Sequence, residues 1–203
     1  LSEQPSYPGN HELEDKIENI IRWNAMAMVL QAYDTGEGLG GHIATYASAA
    51  TMTEVALNHF IKSRTEDYQG DMMNIQAHAS PGIYSRAFLE GRLTIDEIGN
   101  FRRELQDKGG LPSYPHPRRR PELWPSPSAS MGLNGVNSIY YARFAKYLEN
   151  RGLLKKSPGK IWAFLGDGEM DEPETIGTIN IASREKLDNV IFVVNCNLQR
   201  LDG

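Results

Sequence analysis

The sequence predicts an α/β protein built on a parallel sheet with helices on both faces. Three stretches carry that expectation. "KIWAFLGDG" (160–168) is a continuous apolar run that empties into a glycine turn, and "NVIFVVNCN" (189–197) is a second such run. Between them "EPETIGTINIASREKL" (172–187) reads as a helix with Pro173 near its start, where a missing N–H does no harm. Strand, helix, strand with both strands apolar throughout is the pattern of a parallel pair buried on both faces. Both strands then end at one edge of the sheet, where such folds bind ligands.

The elements before that unit follow from periodicity and breakers. Asn10 is placed to cap a helix in which Leu13, Ile17, Ile20, Ile21, Trp23, Met26, Met28, Val29 and Leu30 recur at helical spacing, ending near Tyr33. A glycine-rich loop follows, then a helix from about Ser48 to Ile61 whose small residues permit close packing. "DMMNIQAH" reads as a short strand, and Pro81 suits the first turn of a helix that runs to Leu89. Thr94 with Glu97 three residues on is the capping-box pattern, opening "TIDEIGNFRREL". From Gly109 to Gly132 the chain is irregular, with Pro112, Pro115, Pro117, Pro121, Pro125 and Pro127. A loop of that length inside a compact domain is functional or disordered. A helix from about Leu133 to Asn150 carries Ile139, Tyr140, Phe144, Tyr147 and Leu148 on its apolar side.

Composition narrows the function classes. The 203 residues are 40% hydrophobic and 23% charged, enough for a full core in one domain or two small ones. A net charge of -5 argues against nucleic acid as the main partner, and the run Arg118-Arg119-Arg120 among prolines reads as a solvated loop. No stretch is apolar for long enough to cross a membrane, and the N-terminus lacks a secretion signal. The single Cys196 excludes an internal disulfide and reads as a small buried hydrophobe; with these points it predicts a cytoplasmic protein. The chain begins without Met and stops shortly after a strand, so a piece of a longer polypeptide is expected.

The acidic stretch "GDGEMDEPET" (166–175) admits two readings. One is a solvated loop whose acids favour the first turn of the next helix, the role expected of Glu172 and Glu174. The other is a cation site. Parallel strands set Asp167 beside the pair Asn195 and Asn197, and the helix starting after Asp171 turns its unpaired N–H groups the same way, which suits a phosphate. A hard cation such as Mg²⁺ takes oxygen ligands, and binds through one or two protein groups plus phosphate oxygens. A carboxylate, an amide oxygen and a main-chain carbonyl just beyond would supply the protein's share.

"GDG" followed by 26 residues and then "NCN" resembles the thiamin diphosphate-binding motif. "GGHIATYASAATMTEVALNHF" and "QAHASPGIYSRAFLEGRL" resemble the two histidine loops of transketolase-like enzymes. "SYPHPRRRPELW", "SASMGLNG" and "GDGEMDEPETIGTINIASREKLDNVIFVVNCNLQRLDG" resemble, more narrowly, the family of homodimeric bacterial pyruvate dehydrogenase E1 components. The likeness runs from "SYPGN" to "LQRLDG" and implies that residues 1–203 are the diphosphate-binding domain, with 109–132 as its active-site loop. It implies Asp167, Asn197 and the Gln199 carbonyl as Mg²⁺ ligands, and contacts from Gly168, Glu169 and Asn195 to the cofactor through the turn. His42 and His78 would face the diphosphate and the reacting carbon, and one or the other would donate to the developing alkoxide. Gln76, Tyr114 and Met131 would line the pocket, and Thr45 stands where the family is expected to carry another hydroxyl, serine. His11, His59 and His116 receive no role.

The resemblance further implies thiamin diphosphate and Mg²⁺ as cofactors, pyruvate as the 2-oxoacid substrate, and a homodimer formed through the cofactor site. It also implies transfer of the acetyl unit to a lipoyl-bearing E2 acetyltransferase. The glutamate that activates the thiazolium would lie in a following domain, so these residues alone are expected to be inactive. Two other readings remain at this point: a transketolase-type enzyme moving two-carbon units, and a stand-alone cofactor-binding module.

Overall fold

The computed structural model describes residues 5–128, 132–154 and 158–198. They form two compact units: Leu1–Ile61 with Pro81–Leu111, and Lys62–Ser80 with Pro112–Gly203.

The first unit is helical. Its longest element, α1 (His11–Asp34), starts where Asn10 accepts a hydrogen bond from the Leu13 N–H, as the sequence predicts. α2 (Ala44–Val55) begins four residues earlier than its small residues suggested, and runs on as a π-helical turn over Ala56–Phe60. α3 (Ser80–Leu89) carries Pro81 in its first turn, and α4 (Ile95–Gly99) has the full capping box between Thr94 and Glu97. α4 is one turn long; "NFRREL" continues as turns, with Arg102 at φ 64. The core gathers Ile21, Ala25 and Met28 of α1, Tyr46 and Ala50 of α2, Tyr84 of α3, and Phe101. Burial separates two faces of α1 that periodicity had merged: Ile21, Met28 and Val29 are inside, while Leu13, Ile20, Met26, Leu30 and Trp23, the last 73% exposed, face out.

The second unit is the α/β part. Its strands are β1 (Met72–Asn74), β2 (Ile161–Gly166) and β3 (Val190–Asn195), parallel and in that spatial order. Register pairs Ile161 with Met72 and Val190, and ends with Gly166 opposite Asn195. β2 lies in the middle and is largely buried; β3, bonded to β2 alone among the described residues, stays half exposed. α5 (Leu133–Asn150) and α7 (Pro173–Arg184) pack with each other, and α5 packs on β2.

Here one expectation is corrected. The buried side of α5 is Asn134, Gly135, Ser138, Ile139 and Ala142, whereas Tyr140, Phe144 and Tyr147 are about half exposed. Close approach contributes to this: the methyl of Thr175 lies 3.1 Å from where a Gly135 Cβ would stand, so any side chain at 135 would crowd α7. Cys196 is likewise exposed, because it falls one residue past the end of β3 and outside the ladder.

Candidate functional site

β2 ends at Gly166, and the chain turns at once into a four-residue helix, α6 (Asp167–Met170). The turn buries Asp167, which is 7% exposed. Its Oδ2 accepts a hydrogen bond from the Leu198 N–H at 3.0 Å. That bond crosses from the end of β2 to the segment beyond β3, one residue past Asn197. Together with the Gly166–Asn195 register pair it brings the two halves of the acidic-turn and asparagine pattern to one sheet edge. Asn195 is half-buried and Asn197 exposed.

Glu169 is the second buried carboxylate, also 7% exposed. Its Oε2 accepts from the Gly166 N–H at 3.0 Å and from the side-chain amide of Gln76, and its Oε1 accepts from the Gly132 N–H at 3.3 Å. Burial pushes its carboxyl above the ordinary glutamate value, against the opposite pull of these donors. Gly132 sits at φ 81 ahead of α5, and its carbonyl accepts from the Thr175 hydroxyl at 2.9 Å in the first turn of α7. Glu172 is the N-cap of α7 and Glu174 lies in its first turn, where acids favour a helix start.

The remaining residues expected at the site divide as follows. Gln76 and His78 lie just after β1, His78 half-buried in a 3-10 turn over Ala77–Ala79. Gly168 is half-buried in α6, and Tyr114 is 65% exposed in the proline-rich segment. Met131 and Gln199 lie outside the described residues. His42 and Thr45 belong to the first unit, where His42 is exposed ahead of α2 and Thr45 stands in its first turn.

Sequence reasoning missed a buried polar network that fixes the proline-rich segment. Asn74 at the end of β1 donates to Ser138 of α5 at 2.8 Å and accepts from Ser126 at 2.6 Å. Ser128 donates to the Ile75 carbonyl, and the Ser138 hydroxyl reaches back to the Asn134 carbonyl at 2.7 Å. Isolated serines in "SPSAS" carry no spacing signal; the pairing is visible only once β1 and α5 are in place. Cavities of about 520 and 400 Å³ open elsewhere in this unit, the first around Lys62, Lys146 and Lys160, the second along α7 and β3.

The donor set at the Asp167 edge is made of hard oxygen groups: one carboxylate and two asparagine side chains. That chemistry fits a Mg²⁺ ion sharing its shell with phosphate oxygens. No group of three or more His, Cys, Asp and Glu suited to a metal occurs among the described residues, so a cation here depends on amide and carbonyl oxygens beside the single carboxylate.

Comparison with known proteins gives relatives over the whole chain. No family model matches the chain. The pyruvate dehydrogenase E1 component of Escherichia coli (strain K12) is 56% identical over 203 residues, all of this chain and 23% of that protein. This chain is homologous over its whole length to part of a pyruvate dehydrogenase E1 component. The E1 component of Haemophilus influenzae gives the same identity over the same span, and that of Mycolicibacterium smegmatis is 56% identical over 201 residues, 98% of this chain and 22% of the relative. The chain therefore spans less than a quarter of the length of these E1 components. Among solved structures, transketolase from Campylobacter jejuni superposes with a TM-score of 0.76 over 96% of this chain and 30% of that one, at 24% identity. That likeness shows the fold, an α/β arrangement of transketolase type.

Proposed function

We propose that this chain is the diphosphate- and Mg²⁺-binding part of a thiamin diphosphate-dependent pyruvate dehydrogenase E1 component. The observation that carries the reading is the hydrogen bond from the Leu198 N–H to Asp167, which sets the acidic turn beside Asn195 and Asn197 at one sheet edge. The homology to E1 components supports the same assignment. In it Asp167, Asn197 and the Gln199 carbonyl hold Mg²⁺, and Gly168, Glu169 and Asn195 form the wall of the diphosphate site. Thr45, Gln76, His78, Tyr114, Met131 and His42 supply the remaining contacts.

Bound thiamin diphosphate supplies the chemistry, an electron sink that lets a 2-oxoacid lose CO₂. The chain's residues orient and neutralise. Asp167 brings a fixed negative charge to a cation that in turn offsets the phosphate charges. Imidazole N–H groups at His42 or His78 would be suited to donate a hydrogen bond to an oxygen gaining charge. Pyruvate as substrate, a homodimer closing the site, a lipoyl-bearing E2 as acetyl acceptor and a cytoplasmic location complete the proposal.

Turnover separates this from transfer of two-carbon units between sugars. A longer protein containing this sequence is expected to reduce a dye acceptor with pyruvate, thiamin diphosphate and Mg²⁺, and to leave ketose phosphates untouched. The 203 residues alone are expected to give no turnover. Robust pyruvate oxidation by the 203-residue chain, or ketose-phosphate transfer by the longer protein, would overturn the proposal.

A further inference from the structure

We infer that Glu169 is a positioning residue that sets the polarity of Gln76, so that Gln76 offers a ligand its carbonyl oxygen and takes from it a hydrogen-bond donor. The location of Gln76 in a ligand site rests on the proposed function; the polarity rests on geometry alone.

Three groups converge on the buried Glu169 carboxyl. Two of them, the backbone N–H groups of Gly132 and Gly166, are able only to donate, and they approach Oε1 and Oε2 respectively. Both carboxyl oxygens are thereby acceptors. The side-chain atom of Gln76 that meets Oε2 beside the Gly166 N–H must then be its NH₂, a second donor to an oxygen with two lone-pair directions. Gln76 is held close as well, its Nε2 lying 3.2 Å from where a Cβ on Gly166 would stand. Its side chain makes no other hydrogen bond among the described residues. Its Oε1 remains as an acceptor, beside the second amide N–H, on a half-buried side chain at the carboxyl end of β1.

A free glutamine is ambidextrous, since rotation by half a turn exchanges donor for acceptor. Tying the nitrogen to a carboxylate removes that freedom. Diphosphate and carboxylate oxygens only accept, so the Oε1 of a Gln76 fixed in this way does not recognise them; that oxygen pairs with an amine or hydroxyl of the bound ligand. Glu169 thus acts on recognition through Gln76, while the same carboxyl anchors the turn after β2 and the start of α5.

Two measurements on the 203-residue chain decide the matter. In ¹⁵N-resolved NMR, with the signal assigned by Gln76→Leu, the Gln76 side-chain NH₂ is expected to be displaced from free-amide positions and to exchange slowly. Glu169→Gln should return it to the free position, and Glu169→Asp, one methylene shorter and the safer variant for folding, should do so partly. Identical Gln76 signals in wild type and in either folded variant would overturn the inference. In calorimetry, Gln76→Met, which removes the acceptor at similar size, should weaken thiamin diphosphate binding about tenfold, with the melting temperature lowered by roughly 2–10 °C for the donor lost to Glu169, which keeps its two backbone N–H partners. Unchanged affinity would overturn the donor assignment. Failure of the wild type itself to bind would instead count against the proposed function, and the NMR result would still decide the polarity.

Discussion

Gly132→Ala tests the junction on which the site is built. Gly132 has φ 81, where a side chain costs roughly 1–2 kcal/mol relative to glycine. A methyl there would also stand 2.6 Å from Glu172 Cγ and 2.8 Å from its Cβ, inside any real contact. Glu172 Cβ is fixed by its own backbone and cannot swing away, so the overpacking adds about 1–3 kcal/mol, the usual range. The sum is about 2–5 kcal/mol, or a fall of roughly 4–20 °C in melting temperature for a chain of this size. Gly152→Ala is the matched control: φ is 64, but nothing lies within 4 Å of the added methyl. It should therefore lose only the backbone part. Urea unfolding of the two variants, followed by circular dichroism, isolates the difference. Equal losses, or a loss below about 0.5 kcal/mol for Gly132→Ala, would refute the close approach of α5 and α7 at this point.

Asp71 accepts from the Lys62 and Lys160 N–H groups at 2.9 and 2.8 Å, from Trp162 Nε1 at 3.1 Å, and from the Tyr68 hydroxyl, so Asp71→Ala should lose about 2–3 kcal/mol in urea unfolding. Burial raises the Asp71 carboxyl, but Tyr68 and the other donors together outweigh it and the net shift is downward. Its contribution is then present above the unfolded value near 3.9 and fades as the pH falls toward the lower folded one, and a wild-type urea midpoint that does not drop faster with acid than that of Asp71→Ala would contradict this. Glu14 is held down to about 2 by hydrogen bonds from Tyr7 and His59. Tyr7→Phe removes the larger of these, so NMR titration should find the Glu14 carboxyl moved up toward the ordinary glutamate range; an unmoved titration would deny the contact.

Elements in both units were legible in the sequence where their signals are local. Asn10, the Thr94–Glu97 box and Pro173 mark helix starts by chemistry acting within a single turn, and each stands where expected. β2 and β3 were visible because a buried parallel strand reads as an unbroken apolar run. What escaped depends on partners distant in sequence. Tyr140, Phe144 and Tyr147 look like a core face, yet α5 meets α7 and β2 through Gly135 and Ala142, and no pattern within α5 tells which stripe a neighbour will demand. The same holds for the site: the acidic turn and the asparagine pair were apparent from spacing, whereas the inward turn of Glu169 onto Gln76 and Gly132 joins residues 93 and 37 positions apart. Cys196 was misplaced by a single residue at a strand end, where burial changes abruptly.

The central claim is that Asp167 holds a divalent cation that fixes a diphosphate at this sheet edge. Calorimetric titration of thiamin diphosphate into wild type and Asp167→Ala, each with and without Mg²⁺, addresses it directly. Binding should require both the metal and the Asp167 carboxylate, with heat seen only for wild type in Mg²⁺; equal affinity in all four titrations would contradict it.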